Sequence, residues 1–147
     1  MTYELADDFK IFHNKNELAG TAYMELLPGK FHNEYWNDNS IYIDEEGFCF
    51  LENIIESVVP KFERYSETTI SKGKWGKIIH AFNEFKQKLI TASQASEVMD
   101  FIYEGLYKEL NNKFHEYKIV LVKMLEELCQ WVEEQLTTNK YLSVLGL

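Results

Sequence analysis

Apolar residues in the middle of the chain recur with the spacing of a helix. Within residues 65–90 a polar turn is followed by positions that fall on one helical face: Trp75, Ile78, Ile79, Phe82, Phe85 and Leu89. Ser71 precedes this face, where an N-cap hydroxyl would accept a hydrogen bond from a backbone amide of the first turn. The pattern predicts a helix over residues 72–90 with Trp75 buried.

An earlier apolar face, over residues 48–59, predicts a shorter helix. Its start carries Asp44, Glu45 and Glu46, where the helix dipole favours negative charge. Pro60 then ends it, because proline cannot continue a helix. These three acids therefore have a sufficient structural explanation, although they also belong to the most acidic region of the chain.

Two more helices are predicted, over residues 94–110 and 113–136. The last has the broadest apolar stripe, with a seven-residue repeat that includes Trp131, which we expect to be buried. A stripe this wide is typical of a helix packed inside a domain. The alternative is that it extends to a dimer seam.

The first 43 residues have a different pattern. Short apolar or β-branched runs between Asn, Gly and Pro predict strands near residues 3–5, 9–12, 21–27 and 40–43. The C-terminal run YLSVLGL is too apolar to remain in water, so we expect it to dock on the core. The predicted fold class is α+β and mainly helical, with a small N-terminal β-sheet packed against about four helices. A single domain over residues 1–147 has strands and loops in 1–43 and a helical part in 44–147.

Charge is distributed unevenly along the 147-residue chain. Residues 1–68 carry 14 of the 24 acidic and 5 of the 15 basic residues, so the first part accounts for the whole net charge of −9. Such a surface disfavours direct contact with nucleic acid and favours a basic protein partner. Solubility alone is the alternative explanation. No leader pattern and no uncharged run of about 18 residues occurs, which predicts a cytoplasmic protein without a membrane partner.

Catalytic motifs are absent from the sequence. There is no GxSxG elbow, phosphate-binding glycine loop or HExxH pair, and the histidines share no ligand spacing. The two cysteines, Cys49 and Cys129, lie far apart without CxxC spacing, and the acids near Cys49 would raise a thiol pKa rather than lower it. We therefore predict no enzyme and no catalytic, cofactor or metal residues.

The polar loop over residues 32–39 carries two adjacent large aromatics next to the densest acidic region. Aromatic rings are common at interface hot spots, and acidic charge steers a basic partner, so this region is the candidate partner-binding surface. The alternative is that both rings fold back on the core; we expect Trp36 to be exposed. The predicted surface comprises Glu34, Tyr35, Trp36, Asp38, Asp44, Glu45 and Glu46.

The run SIYIDEEGFCFLENIIESVVPKFERYSETTISKGKWGKII, residues 40–79, resembles bacterial immunity proteins of polymorphic-toxin and contact-dependent growth inhibition systems. The resemblance lies in an order of features: an acidic turn, a short helix, a proline, an aromatic-rich link, then Thr-x-Ile-Ser-Lys and a tryptophan opening a long helix. It covers about a quarter of the chain. Acidic residues usually follow the Ser-Lys, whereas Gly73 and Lys74 stand here.

The resemblance implies a small cytoplasmic antitoxin that binds and neutralises one cognate protein toxin without catalysis. A basic nuclease-type toxin would suit the acidic surface, and the protein would be a monomer or weak homodimer. A second hypothesis is an intracellular helical adaptor or regulatory protein that dimerises through its C-terminal helix. A hydrolase with a carboxylate or Cys–His site ranks last.

Overall fold

Helices pack against one face of a five-stranded antiparallel sheet in this protein. The computed structural model describes residues 5–146. The strands are β1 (Ile11–Phe12), β2 (Tyr23–Pro28), β3 (Ile41–Asp44), β4 (Glu67–Ser71) and β5 (Tyr141–Leu145). The α-helices are α1 (Leu5–Asp8), α2 (Glu45–Val58), α3 (Lys72–Thr91), α4 (Tyr107–Asn112) and α5 (Phe114–Leu136). Short 3-10 helices span Lys15–Glu17, Ala95–Phe101 and Glu104–Leu106. The predicted α+β fold class is confirmed.

The strand order across the sheet is β1-β3-β2-β5-β4, and each neighbouring pair is antiparallel. The sheet is therefore not confined to the N-terminal part of the chain, as the sequence had suggested. The link before α3 supplies edge strand β4, and the C-terminal run supplies β5, inserted between β2 and β4. The prediction that the apolar tail docks on the core holds, and it does so as a strand.

The N-terminal strands are shorter than predicted. Of the strand expected near residues 3–5, residues 3 and 4 lie outside the described residues and Leu5 opens the one-turn helix α1. The run near residues 9–12 pairs with β3 only at Ile11 and Phe12. The two other predicted strands correspond to β2 and β3.

One face of the sheet and the apolar stripes of the helices form a common core. Alternate strand residues face the helices, because successive side chains of a strand point to opposite faces. On the sheet side this core contains Ile11, Met24, Leu26, Ile41, Ile43, Ile70, Leu142 and Val144. Opposite them lie the buried faces of α2, α3 and α5.

The three long helices begin and end near their predicted limits. Asp44 caps α2 by accepting a hydrogen bond from the Glu46 amide at 2.9 Å, and Ser71 caps α3 through the Lys74 amide at 3.4 Å. Helix α2 ends at Val58, two residues before Pro60. Among residues 5–146, no helix is long and apolar enough to span a membrane.

The prediction of a long helix over residues 94–110 is wrong. The segment instead forms two 3-10 helices and the short α4, separated by extended backbone at Ile102 and Tyr103. Tertiary contacts compete with a continuous helix here. Phe101 stacks on Phe85 at 5.1 Å between ring centroids, and the Tyr103 hydroxyl donates to the Glu56 carboxylate at 2.9 Å. Helix propensity is weaker than such packing.

The tryptophans on the helices differ in burial. Trp75 is fully buried, as predicted, and its indole Nε1 donates to the Leu142 carbonyl at 3.1 Å, which joins α3 to the inserted strand β5. Trp131 is only partly buried, so that prediction is corrected. It lies at the edge of the α5 stripe, while Leu128 and Val132 occupy the buried side.

We predict that Trp75→Ala lowers the free energy of unfolding by roughly 3–5 kcal/mol, through a core cavity and the loss of the link to β5. Trp131→Ala is the matched control and should cost less than half as much, because its ring is partly exposed. Urea unfolding of both variants measures this difference, and equal losses would contradict the assignment of Trp75 as the main anchor.

An ion pair joins α2 to the link before β4. Arg64 Nε donates to Glu52 Oε1 at 2.8 Å, and its guanidinium also donates to Cys49 Sγ at 2.7 Å. Glu52 is buried, and its side chain is 9% exposed against 24% for Arg64. Burial raises the pKa of Glu52, while the hydrogen bond and charge of Arg64 oppose that rise.

Arg64→Leu should therefore destabilise the fold by about 1.5–3 kcal/mol at neutral pH, because Glu52 stays buried without its cation. The lone carboxyl takes up a proton as the pH falls through its raised pKa, so the deficit relative to the wild type should shrink with acidification. Chemical unfolding between neutral and acidic pH measures this. The double variant Arg64→Leu/Glu52→Gln is the control, because it lacks the titrating carboxyl. Arg64→Leu should gain stability relative to this double variant as the pH falls, and a pH-independent difference between the two would disprove the assignment.

Candidate partner-binding site

The face of the sheet that points away from the helices is covered by a loop. We call residues 29–40 the covering loop. It leaves β2 at Gly29, whose φ of +92° is a conformation that residues with a side chain rarely adopt. Ser143 on β5 donates to the Gly29 carbonyl at 2.9 Å, so the start of the loop is fixed to the sheet.

One row of side chains crosses this outer face from edge to edge. The pairing registers place directly opposed residues on the same face, in the order Phe12, Tyr42, Glu25, Leu145 and Glu67. Three of them, Tyr42, Glu25 and Leu145, are at least 97% buried although they face away from the core helices. Burial on that side indicates that the covering loop closes over the centre of the row.

Glu25 at the centre of the row holds the covering loop in place. Its Oε1 accepts from the Trp36 amide at 2.7 Å. Its Oε2 accepts from the Asn37 amide at 3.0 Å, from Asn37 Nδ2 at 2.9 Å and from the Ser40 hydroxyl at 2.6 Å. A carboxylate offers several acceptor sites in fixed directions, so a single side chain fixes three residues of the loop.

The charge of Glu25 differs from that of Glu52 in having no cation beside it. Within the described residues, the carboxylates that pair with Lys, Arg or His nitrogens are Asp38, Glu52 and Glu84. Glu25 is 3% exposed and is satisfied by neutral donors alone. A buried charge without a counter-ion is costly unless something else compensates it.

The two adjacent aromatic residues of the loop, Tyr35 and Trp36, are held in different environments. Trp36 is only partly buried, not exposed as predicted, because its ring stacks on Tyr42 at 5.7 Å with an interplanar angle of 20°. Its backbone has a φ of +61°, which is uncommon for a bulky residue. Tyr35 remains 44% exposed and contacts Phe31. Strained backbone held by a buried carboxylate is typical of functional sites.

Tyr42 on β3 also anchors the covering loop. Its hydroxyl donates to the Asn37 carbonyl in a short hydrogen bond. Burial, and then the charges of Glu25 and Asp38, raise the pKa of this phenol, so it stays protonated and remains a donor at neutral pH.

A cleft of about 410 Å³ opens between the covering loop and the outer face of the sheet. The aromatic rings of Tyr35 and Trp36 lie on its loop side, and Glu25 lies at the sheet. The full lining comprises Thr21, Ala22, Tyr23, Glu25, Tyr35, Trp36, Leu145 and Gly146. A concave and largely apolar site with one convergent charged group has the character of a binding site.

The acidic residues of the predicted surface do not converge on this cleft. Asp38 faces the other side of the loop and pairs with Lys15 at 3.2 Å. Glu34 is exposed on the loop.

The three acids Asp44, Glu45 and Glu46 lie where β3 ends and α2 begins. Asp44 is engaged as the helix cap, and the Glu45 amide donates to the carbonyl of Ala22, so both residues adjoin the rim of the cleft. Glu46 lies among other acids: burial and then the charges of Glu45, Asp8 and Glu109 raise its pKa. The structure thus brings together the two aromatics and leaves the predicted acids around them.

Sequence reasoning missed the strand residues that line the cleft, among them Tyr23, Glu25 and Leu145, and it missed Tyr42, which anchors the loop. A usable signal for Glu25 existed, because it is the lone charge in the apolar strand YMELLP. A charged residue within a buried strand needs a partner, and that partner proved to be the backbone of the next loop.

Two titratable groups at the loop and one thiol on α2 are either engaged in hydrogen bonds or kept protonated. Glu25 is occupied by four donors, and the Tyr42 phenol stays protonated. Burial raises the pKa of the Cys49 thiol despite the Arg64 hydrogen bond, so it is not activated as a nucleophile. Among residues 5–146, no group of three or more His, Cys, Asp or Glu residues is placed to hold a metal ion.

Comparison with known proteins adds no relative: no family model, curated protein or solved structure matches the chain. The site is therefore interpreted from its own residues.

We predict that Glu25→Gln speeds amide hydrogen exchange at Trp36 and Asn37 by about tenfold or more. The substitution replaces one acceptor oxygen of the carboxylate by an NH2 group, which is itself a donor and cannot accept the hydrogen bonds of the loop. Exchange followed by NMR measures it residue by residue. Glu34→Gln, an exposed change in the same loop, is the control and should leave both rates unchanged. Unaltered protection in Glu25→Gln would show that the loop is fixed by other contacts.

Proposed function

We propose that this protein is an immunity protein, which binds and neutralises a cognate bacterial toxin through the cleft under the covering loop. The observation that carries the proposal is the cleft itself, where a half-exposed tyrosine adjoins a strained tryptophan whose amide is held by Glu25. A rigid aromatic pair around a concave site is the arrangement that interface hot spots use. The likeness of residues 40–79 to immunity proteins supports the same function.

Charge supports a basic partner. The chain carries a net charge of −9, all of it from residues 1–68, which include the covering loop and the start of α2. Acids that surround an aromatic site speed the approach of a basic protein and disfavour wrong partners. A nuclease-type toxin with a basic substrate cleft fits this surface. The proposal places the encounter in the bacterial cytoplasm.

The alternative of an adaptor that dimerises through the C-terminal helix loses its main support. The apolar stripe of α5 is buried within the chain, where α5 packs mainly against α3. Among the large hydrophobic side chains described on α5, the exposed one is Ile119, at 70%. A dimer seam needs a continuous apolar stripe, so the proposal takes the protein as a monomer.

Tyr35→Ala should weaken binding to the proposed cognate toxin domain by about 2 kcal/mol, roughly 30-fold in Kd, mostly through faster dissociation. Surface plasmon resonance gives both rate constants, and growth of cells that express the toxin reports neutralisation.

Ile119→Ala is the matched control for this test. It removes an exposed apolar side chain from α5 and should leave toxin binding unchanged. If Ile119→Ala weakens binding and Tyr35→Ala does not, the working surface lies on α5 and the proposed site is wrong.

A further inference from the structure

We propose that the cleft accepts an arginine side chain of the partner, with its guanidinium against the aromatic wall and directed toward Glu25. This inference rests on the proposed function and names the chemical group that the site would read. It follows from three features of the cleft: a buried carboxylate with no cation beside it, an acceptor position that the chain does not use, and an aromatic lining.

The first feature is the missing cation. Glu25 is 97% buried at the sheet side of an open cleft, and no Lys, Arg or His of the described residues pairs with it. The lysines near it in sequence are engaged elsewhere. Lys15 pairs with Asp38, while Lys10 and Lys30 lie over the rings of Phe12 and Tyr141. An arginine of the partner would place beside Glu25 the positive charge that no described residue of the chain supplies.

The second feature is the unequal use of the two carboxylate oxygens. Oε2 accepts three hydrogen bonds, from Asn37 twice and from Ser40, and is saturated. Oε1 accepts one, from the Trp36 amide. Because each carboxylate oxygen has about two acceptor sites, Oε1 retains capacity for one further donor. The remaining acceptor position of this cleft-lining residue therefore lies on the oxygen that is bonded to the Trp36 amide.

The third feature is the aromatic lining. Tyr23, Tyr35 and Trp36 all border the cleft, and indole is the best ring for attracting a cation. Arginine suits this combination better than lysine. Its planar guanidinium is weakly hydrated, stacks on aromatic faces and donates in fixed directions, whereas an ammonium group holds its water more strongly. A basic toxin would present such a side chain on its substrate-binding surface.

A small probe tests the inference without any partner protein. The 15N-labelled protein is titrated at pH 7 with N-acetyl-L-arginine amide, and in parallel with N-acetyl-L-citrulline amide, which replaces the guanidinium by a neutral urea of similar shape. We expect saturable shifts at the Trp36 and Asn37 amides with the arginine probe and a Kd on the order of 1–10 mM. The citrulline probe should bind at least about tenfold more weakly, because it lacks the charge.

Two variants distinguish binding of the arginine probe in the cleft from nonspecific attraction of a cation to an acidic protein. Thr21→Lys places a tethered cation at the exposed rim of the cleft and leaves the hydrogen bonds of Glu25 intact; it should abolish the shifts. Ser96→Lys adds the same charge at an exposed position outside the cleft lining and should bind the arginine probe as the wild type does. Glu25→Gln should also abolish the shifts. If Glu25→Gln loosens the covering loop, the result for Thr21→Lys decides whether the probe binds in the cleft.

The result of the probe titrations is independent of the test of the proposed function. Saturation by arginine and not citrulline, lost in Thr21→Lys and kept in Ser96→Lys, supports an arginine-reading cleft whether or not a toxin is neutralised. Equal responses to both probes, no saturable response, or retained binding in Thr21→Lys would overturn it, while toxin neutralisation through Tyr35 would still stand.

Discussion

The carboxylate of Glu25 is the group on which the outer half of the structure depends. It is buried in the centre of the sheet on the side without helices, and four donors from Trp36, Asn37 and Ser40 converge on it. Without it, the covering loop would keep its anchors at Gly29 and Tyr42 but lose the bonds that support the positive φ of Trp36. This one carboxylate therefore fixes the backbone that positions Trp36 at the cleft.

The sheet and the helices explain why Glu25 can be buried at all. Strand β5 is inserted beside β2, and the Trp75 indole ties it to α3, so the strand that carries Glu25 has neighbours on both sides. Elsewhere the fold neutralises its buried acid, as Arg64 does for Glu52. Glu25 has neutral donors only. That contrast is the basis of the proposal that a cationic group of the partner enters the cleft.

The sequence predicted the parts of the fold in which one pattern dominates. The broad stripes of α2, α3 and α5 dictate helices, and the caps Asp44 and Ser71 mark two of their starts. Strands β4 and β5 were missed because their pairing is long-range and their own pattern is short. The aromatic pair of the site was predicted from residue type. Its organisation was not, because Glu25 is ten residues away and its bonds to the loop exist only after β2 and β3 pair.

Hydrogen exchange of the free protein and of its complex with the proposed toxin partner shows most directly whether the covering loop is the binding surface. Mass spectrometry of peptic fragments reports which backbone amides become protected. The account predicts new protection in residues 21–23 and 31–40, with α5 around Ile119 unchanged. Protection confined to α5 or to the exposed face of α3, with the covering loop exchanging as in the free protein, would contradict it.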